Sequence, residues 1–177
     1  MFLMKKVIFF LLFFFQLSHS QSNTNIAYLD VQFIIDNSEI GLFYKKKLKT
    51  LQELNNKNLK KKQKIIKDKE TDVKNQKNIL KDEELKKKIS ELNELVQKYQ
   101  IDINKLNKTF LDQKKQYSET ILKILNPLLT SYVDANNITI VIEKKNILVG
   151  AKSLDITANM LDILNKEIKE KKIINEN

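Results

Sequence analysis

The chain has 177 residues, a formal net charge of +10, two glycines, one proline and no cysteine. Turns depend on glycine and proline, so their scarcity predicts long uninterrupted helices. Every one of the 32 basic residues is lysine, which excludes the two-pronged clamp that arginine makes on a phosphate or a carboxylate.

The first twenty residues are typical of a secretory signal peptide. A short basic start, MFLMKK, precedes the apolar run VIFFLLFFFQL, and SHS supplies the small residues that a signal peptidase reads. The run falls well short of the roughly 20 apolar residues that span a bilayer. We therefore expect residues 1–20 to be a signal peptide, cleaved after Ser20.

The residues left after cleavage are poorly suited to catalysis. The one histidine, His19, lies in the signal, so the mature chain has no histidine, cysteine or arginine. Nucleophilic and metal-site chemistry usually draws on histidine or cysteine. Gly41 and Gly150 are the only glycines, which excludes a glycine-rich phosphate loop. We expect no enzymatic activity, no metal, no cofactor and no use of ATP.

The mature chain begins with a predicted strand. Residues 25–31, NIAYLDV, alternate between two faces, with Ala27, Leu29 and Val31 on one of them. Residues 21–37 are therefore predicted to form the first strand and an entry segment.

Residues 38–132 have helical periodicity and predict a hairpin of two long helices. The second half carries an apolar row at alternating spacings of four and three, which is typical of a coiled-coil seam: Leu85, Ile89, Leu92, Val96, Tyr99, Ile103, Leu106 and Phe110. The first half has one apolar residue per heptad, with lysine or glutamine three positions later: Leu59, Ile66, Val73 and Leu80.

The reversal between these helices is predicted near residues 79–82. Three acidic residues from Asp82 onward are followed four positions later by three lysines, an order that favours a helix start. Asn78 tolerates a left-handed backbone and is a candidate end for the preceding helix. Pro127 is predicted to help close the returning helix.

Residues 133–170 are predicted to hold a β-hairpin and a short amphipathic helix. In residues 137–150, NITIVIEKKNILVG, β-branched residues alternate, Lys144 and Lys145 suit a turn, and Ile147 to Val149 predict a second strand. The helix follows a cap at Ser153 or Asp155, with an apolar stripe: Met160, Leu161, Leu164 and Ile168. Residues 171–177 are predicted to be a frayed tail.

The fold class is therefore mainly α with a small β part, in which a long antiparallel helical hairpin projects from a small β body. A body with so small a sheet and core is not expected to be stable as a single subunit. We expect the body to be shared between the subunits of an oligomer, through six apolar residues: Leu29, Ile138, Ile140, Ile142, Ile147 and Val149.

The chain resembles the OmpH family of periplasmic chaperones. The resemblance lies in the opening IAYLDVQFIIDNSEIG, in the lysine-rich helical hairpin, and in the closing ITIVIEKKNILVGAKSLDIT with the helix after it. It implies a homotrimer in the periplasm, in which three helical arms surround a cavity that holds unfolded outer-membrane proteins without ATP. The absence of arginine leaves no match for an arginine-based lipopolysaccharide contact.

Positive charge is concentrated in the first arm helix and the tip. Residues 45–88 contain 17 lysines and seven acidic residues, a net charge of +10, whereas residues 89–132 have a net charge of +1. Such lysines are commonly no more than a solvated surface. Binding to an anionic membrane surface or lipopolysaccharide is a second interpretation. Nucleic acid is not expected as a partner, since export separates the chain from it and no stacking motif is present.

The favoured interpretation is electrostatic capture of unfolded outer-membrane proteins by a holdase chaperone. The alternative is an exported structural or membrane-tethering protein whose coiled-coil arms bridge parts of the envelope. For capture, we expect eight lysines to act collectively: Lys60, Lys61, Lys62, Lys64, Lys67, Lys86, Lys87 and Lys88.

Overall fold

The computed structural model describes residues 24–174, so the predicted signal peptide and the last three residues of the tail lie outside the described residues. The described chain is mainly helical with a small strand part, as predicted. Its elements in order are β1 Ile26–Leu29, α1 Val31–Asn37, α2 Glu39–Gln76, α3 Asp82–Ala135, β2 Ile140–Glu143 and α4 Thr157–Glu170.

The two strands form the centre of a small body. They pair in parallel with Ile26 opposite Ile140, and the sheet has these two strands within residues 24–174. Ala27 and Leu29 lie on the sheet face that packs into the core. The remaining core side chains come from the four helices and the segment before α4: Ile34, Ile40, Ile121, Leu125, Ile156, Met160, Leu164 and Ile168.

The first strand is shorter than predicted because a helix cap interrupts it. The Oδ1 atom of Asp30 accepts a hydrogen bond from the backbone N–H of Phe33 at 2.9 Å, which starts α1 at Val31. The predicted placement of Val31 in the strand is therefore wrong. Ser38 then caps α2, its buried hydroxyl accepting from the N–H of Gly41 at 3.1 Å. The cap satisfies a donor that the helix itself cannot satisfy.

The predicted β-hairpin at residues 137–150 is wrong within the single chain. A 3₁₀ turn at Lys144–Asn146 follows β2, and Ile147 to Val149 form no strand in the described chain. Two-residue hairpin turns require positive φ angles, which favour asparagine or glycine. Lys144 and Lys145 do not meet that requirement, and β2 pairs instead with β1, more than a hundred residues earlier.

The two long helices pack against each other in antiparallel fashion and form an arm. Near the body, the rings of Tyr44 and Tyr117 stack with centroids 4.0 Å apart. Towards the tip, the Lys88 ammonium lies 2.7 Å from a carboxylate oxygen of Asp72. The 38 residues of α2 correspond to a length of roughly 57 Å at 1.5 Å per residue.

The ends of the arm helices agree only partly with the sequence. Helix α3 begins at Asp82 with three acidic residues in its first turn, as their placement predicts. Helix α2 ends at Gln76, two residues before the predicted Asn78. Asn78 does not take up a left-handed backbone; the asparagine that does so is Asn137, with φ of 52°, just after α3 ends.

Pro127 does not close the returning helix, contrary to the prediction. Helix α3 continues through Pro127 to Ala135. A proline inside a helix removes one backbone hydrogen bond and costs about 3 kcal/mol. Burial of Leu125 and packing of Leu128 and Leu129 against the core stabilise the helix on both sides of the proline. Tertiary packing therefore outweighs the local preference.

The closing helix follows the predicted stripe. Met160, Leu164 and Ile168 are buried in the core, and Leu161 is half-buried beside them. The predicted cap at Ser153 or Asp155 is wrong, because the N-cap residue is Ile156 and no side chain caps the helix. Asp155, one residue earlier, instead accepts a hydrogen bond of 3.0 Å at Oδ1 from the N–H of Thr157. Helix α4 thus fastens the body against the base of the arm.

Candidate functional site

The arm helices meet along a seam in which apolar and polar layers alternate. Four apolar residues at heptad spacing are half-buried, the first three on α2 and the last in the turn that follows it: Leu59, Ile66, Val73 and Leu80. Three positions after the first three of them stand polar residues: Lys62, Lys69 and Gln76. Each of these polar side chains contacts a residue of α3. The polar side chains in the seam of α2 therefore each have a hydrogen-bond partner on α3.

Two lysines of α2 form ion pairs with α3. Lys62 pairs with Asp102, and this hydrogen bond holds the pKa of the Asp102 carboxyl below its ordinary value. Further towards the tip, the Lys69 ammonium lies 3.3 Å from an oxygen of Glu91. These pairs are open to solvent, so they contribute little to stability and weaken as salt rises.

A third polar layer lies nearest the tip. The Lys88 ammonium on α3 donates to Oδ2 of Asp72 at 2.7 Å and to Oε1 of Gln76 at 2.6 Å. The side-chain amide of Gln76 in turn donates to Asp72 at 2.6 Å. This three-residue network is the most connected contact between the arm helices in the outer part of the arm.

The predicted seam of α3 is only partly at the contact with α2. Leu85, Leu92, Tyr99, Ile103, Leu106 and Phe110 are half-buried, but Ile89 and Val96 are exposed. The preceding residues, Lys88 and Leu95, are half-buried instead, and Lys88 contacts α2. The outer arm therefore presents an aliphatic edge next to the seam.

The structure places the eight predicted lysines in two groups along the arm. Seven are exposed, and Lys88 is partly covered. Lys62 and Lys88 are engaged in the cross-arm pairs described above. Within residues 24–174, the other six form no ion pair: Lys60, Lys61, Lys64, Lys67, Lys86 and Lys87.

Three of these lysines share one shallow concave surface on α2. Lys60, Lys61 and Lys64 line it together with Lys57 and one acidic residue, Glu53. Four ammonium groups within two helical turns produce a positive potential that attracts polyanions and acidic segments. Lysine stems are apolar, so the same surface also offers aliphatic contact.

Apolar side chains are exposed among these charges along the arm. Leu54 and Ile65 project from α2, and Ile101 and Leu111 project from α3. Ile79 is the most exposed of the arm's large apolar residues and lies in the turn between the helices. The arm can therefore offer weak apolar contacts beside mobile positive charges, without a fixed pocket.

The body exposes a separate apolar surface around its second strand. Ile26 and Ile140 are register partners on one face of the sheet, and Ile140 is 48% exposed. In the segment after the 3₁₀ turn, Leu148 is fully exposed and Val149 is 93% exposed. We refer to these four exposed residues together as the assembly surface.

The six residues predicted for assembly divide between the core and this surface. Leu29 is buried in its own chain, and Ile138 packs on the same core. Ile142 and Ile147 are half-buried. Ile140 and Val149 remain available to a partner. Leu148 is also exposed. The prediction omitted it because it lies between the alternating positions Ile147 and Val149.

An ion pair fixes the segment that carries Leu148. The Lys144 ammonium lies 2.9 Å from Oδ2 of Asp155, and this hydrogen bond raises the pKa of Lys144. Burial acts to raise the pKa of Asp155, but hydrogen bonds from Thr157 and Lys144 outweigh it, and the pKa is lowered. A side chain at Gly150 would meet the ring of Tyr28 at 2.9 Å, so the absence of one lets the segment lie across that ring.

Sequence reasoning missed the acidic partners of the seam. Asp72, Glu91 and Asp102 were counted only as charges that offset lysines, yet each binds a lysine of the other arm helix. A signal was available, because the polar residues three positions after each apolar residue of α2 needed partners at a partly buried contact. The missing information was the alignment of the two helices.

Comparison with known proteins agrees with this architecture. The family model "Outer membrane protein (OmpH-like)" matches residues 25–164. A solved structure from Caulobacter crescentus CB15, described provisionally as an outer membrane chaperone (OmpH-like), superposes with a TM-score of 0.74 at 15% sequence identity. The match covers 87% of this chain and 91% of that one. Among curated proteins, no significant relative is found.

The family assignment rests on most of the described chain. The matched residues run from the start of β1 into α4, and they include the whole arm. Within residues 24–174, no helix has the length and apolar character needed to cross a membrane. The chain belongs to the OmpH-like family.

Proposed function

We propose that this protein is an ATP-independent holdase chaperone of the periplasm, which captures unfolded outer-membrane proteins between its lysine-rich arms and prevents their aggregation. The observation that carries this proposal is a group of exposed arm lysines that form no ion pair within residues 24–174, on an arm that also exposes separate apolar side chains. The match to an OmpH-like chaperone structure supports it.

Capture begins with long-range attraction. A client of net negative charge is drawn to the α2 surface over a Debye length of roughly 8 Å at physiological salt. Unfolded outer-membrane barrels alternate apolar and polar residues and have unpaired strand edges that aggregate. Lysine stems and exposed residues such as Leu54 and Ile65 then contact the apolar side chains without reading a sequence.

The arm is suited to clients of different size because its outer part is weakly held. Two of its three polar layers are single solvent-exposed ion pairs, which contribute little and exchange readily. Segments with few buried apolar contacts open at low free-energy cost. The two helices can therefore shift against each other as a client enters.

The proposal includes a homotrimer built on the assembly surface. Leu148 and Val149 are too exposed to contribute to the fold of a single subunit, whereas burial against a neighbouring subunit would remove both from water. The number three comes from the family resemblance. Joining the bodies in this way directs several arms towards one enclosed space.

A tethering function is the competing candidate. The lysine surface fits anionic lipid or lipopolysaccharide as well as acidic protein, because the same ammonium groups pair with phosphates. A tether would bind membranes or one fixed partner and ignore soluble unfolded chains. The exposed apolar residues scattered along both arm helices favour the holdase.

One binding experiment separates these functions. A urea-unfolded outer-membrane barrel is diluted in the presence of the purified mature chain, and formation of a complex is measured. The holdase forms a soluble complex near stoichiometric ratio without nucleotide. Replacing the eight predicted lysines with glutamine slows capture and flattens its dependence on salt. Binding to anionic vesicles alone would support the tether, and capture unchanged by the eight replacements would refute the electrostatic step.

A further inference from the structure

A second concave surface lies at the root of the arm and shares no lining residue with the lysine-rich surface already described. It runs between the first turns of α2 and the end of α4. Its floor is apolar and includes Leu42, which is 51% exposed, with Phe43 and the buried Ile168 beside it. Ile174, beyond the end of α4, closes one side. We call this surface the root groove.

The rim of the root groove is strongly basic. Four lysines line it with one acidic residue, Glu39. The Lys169 ammonium lies 2.7 Å from Glu39 and neutralises it. The Lys47 ammonium lies over the Phe43 ring, 4.5 Å from its centroid. Lys46 and Lys172 form no ion pair within residues 24–174, so the lining of the groove carries two positive charges with no acidic partner there.

A backbone turn after α4 forms one side of this groove. Lys172 has φ of 48°, a left-handed conformation that few residues other than glycine or asparagine adopt without cost. The turn brings the N–H of Ile173 to within 3.1 Å of the carbonyl oxygen of Ile168 and returns Ile174 to the groove. The lysine and the apolar side chain are therefore placed on the same rim by one backbone turn.

A second copy of this chain is a poor occupant of the groove. Its exposed apolar segment, Leu148 and Val149, is followed by Lys152, which forms no ion pair within residues 24–174, while Lys144 and Lys145 before it already pair with Asp155 and Glu143. Bringing this segment to the basic rim therefore adds an unpaired lysine and no free carboxylate, which opposes binding. The occupant that complements the groove has carboxylates for the rim and a large apolar side chain for the floor.

We infer that the root groove binds acidic segments of unfolded client chains, each placing a large apolar side chain on Leu42 and Phe43 and carboxylates beside Lys46 and Lys172. This inference rests on the proposed function and extends it. The arm's lysine surface speeds the encounter, and the groove retains one type of segment. Clients rich in acidic residues next to aromatic residues are therefore held longest.

The test uses a fluorescent peptide in which one phenylalanine is flanked by aspartate and glutamate. Anisotropy is measured with the mature chain, with Lys46→Glu/Lys172→Glu, and with Lys45→Glu/Lys49→Glu as the matched control. The control changes two exposed lysines of the same region of α2 that do not line the groove. We expect the groove variant to bind at least about tenfold more weakly and the control to bind within about twofold of the native chain.

Four further measurements define the occupant. Leu42→Ser, at a half-exposed position, weakens binding, as does replacing the phenylalanine of the peptide with serine. Equal loss in the control variant would overturn the groove assignment, since the effect would then be general charge. Binding that appears only after deletion of residues 175–177 would show that the chain's own tail occupies the groove. Displacement of the peptide by anionic vesicles but not by unfolded client would assign the groove to lipid.

Failure of this inference is distinguishable from failure of the proposed function. If the native chain keeps an unfolded barrel soluble while the peptide ignores the root groove, the inference fails and the holdase stands. If the native chain binds the peptide yet leaves the barrel to aggregate, the groove serves another acidic partner, and both the client assignment and the holdase fail.

Discussion

Removing the exposed apolar pair Leu148 and Val149 should dissociate the proposed homotrimer while leaving each subunit folded. Both side chains are almost completely exposed in the single chain, so Leu148→Ser/Val149→Ser removes no intramolecular core contact. Burying a fully exposed leucine or valine contributes about 1.5–3 kcal/mol. The pair therefore accounts for roughly 3–6 kcal/mol per subunit, which corresponds to at least about 100-fold in the association constant.

Sedimentation equilibrium over a dilution series measures this change, and far-UV circular dichroism checks the helices. The matched control is Ile101→Ser/Leu111→Ser, which removes two exposed apolar residues from α3, 65% and 62% exposed, away from the body. We expect the body variant to become monomeric at concentrations where the native chain and the control stay assembled. A body variant that keeps the native mass at every concentration would refute the placement of the assembly surface.

Three further predictions follow from the contacts. Met160→Ala, at a fully buried position, should lower the free energy of unfolding by about 2–5 kcal/mol in urea, and a loss below about 1 kcal/mol would contradict the described core. The pKa of Asp155 is lower in the folded body than its ordinary value of 3.8, so the ionised carboxylate stabilises the body at pH values above 3.8. This contribution is lost as the pH falls through the lower pKa of the folded state. Asp155→Asn should therefore flatten the acid end of the urea-midpoint profile between pH 6 and pH 2.5; an unchanged profile would exclude this carboxyl as the cause. Hydrogen exchange in the outer arm should quicken between 0.05 and 1 M salt, and Lys62→Leu/Asp102→Leu should reduce that dependence; equal salt dependence in both proteins would show that this pair does not hold the arm.

The features that the sequence predicted correctly depend on neighbours along the chain. Helix α3 starts at Asp82 because acidic residues there interact with the helix N-terminus. Met160, Leu164 and Ile168 are buried together because they are spaced three or four residues apart on one helix. Both signals lie within a few residues of the structure they specify.

Apart from the local Asp30 cap and the end of α2, the features that the sequence did not predict depend on distant partners. β2 pairs with β1 across more than a hundred residues, so its local alternation could not distinguish a parallel partner from a hairpin. Helix α3 continues through Pro127 because Leu125 and its neighbours pack on the core. The same limit applies to the candidate site, where the pairing of Lys62 with Asp102 depends on the alignment of two helices.

Light scattering tests the central claim most directly. A urea-unfolded outer-membrane barrel is diluted into buffer with and without the purified mature chain, with no nucleotide present, at several salt concentrations. The account predicts that the chain suppresses aggregation near stoichiometric ratio and that suppression weakens as salt rises. Aggregation that proceeds as in buffer alone, while the chain is folded and assembled, would contradict the holdase function.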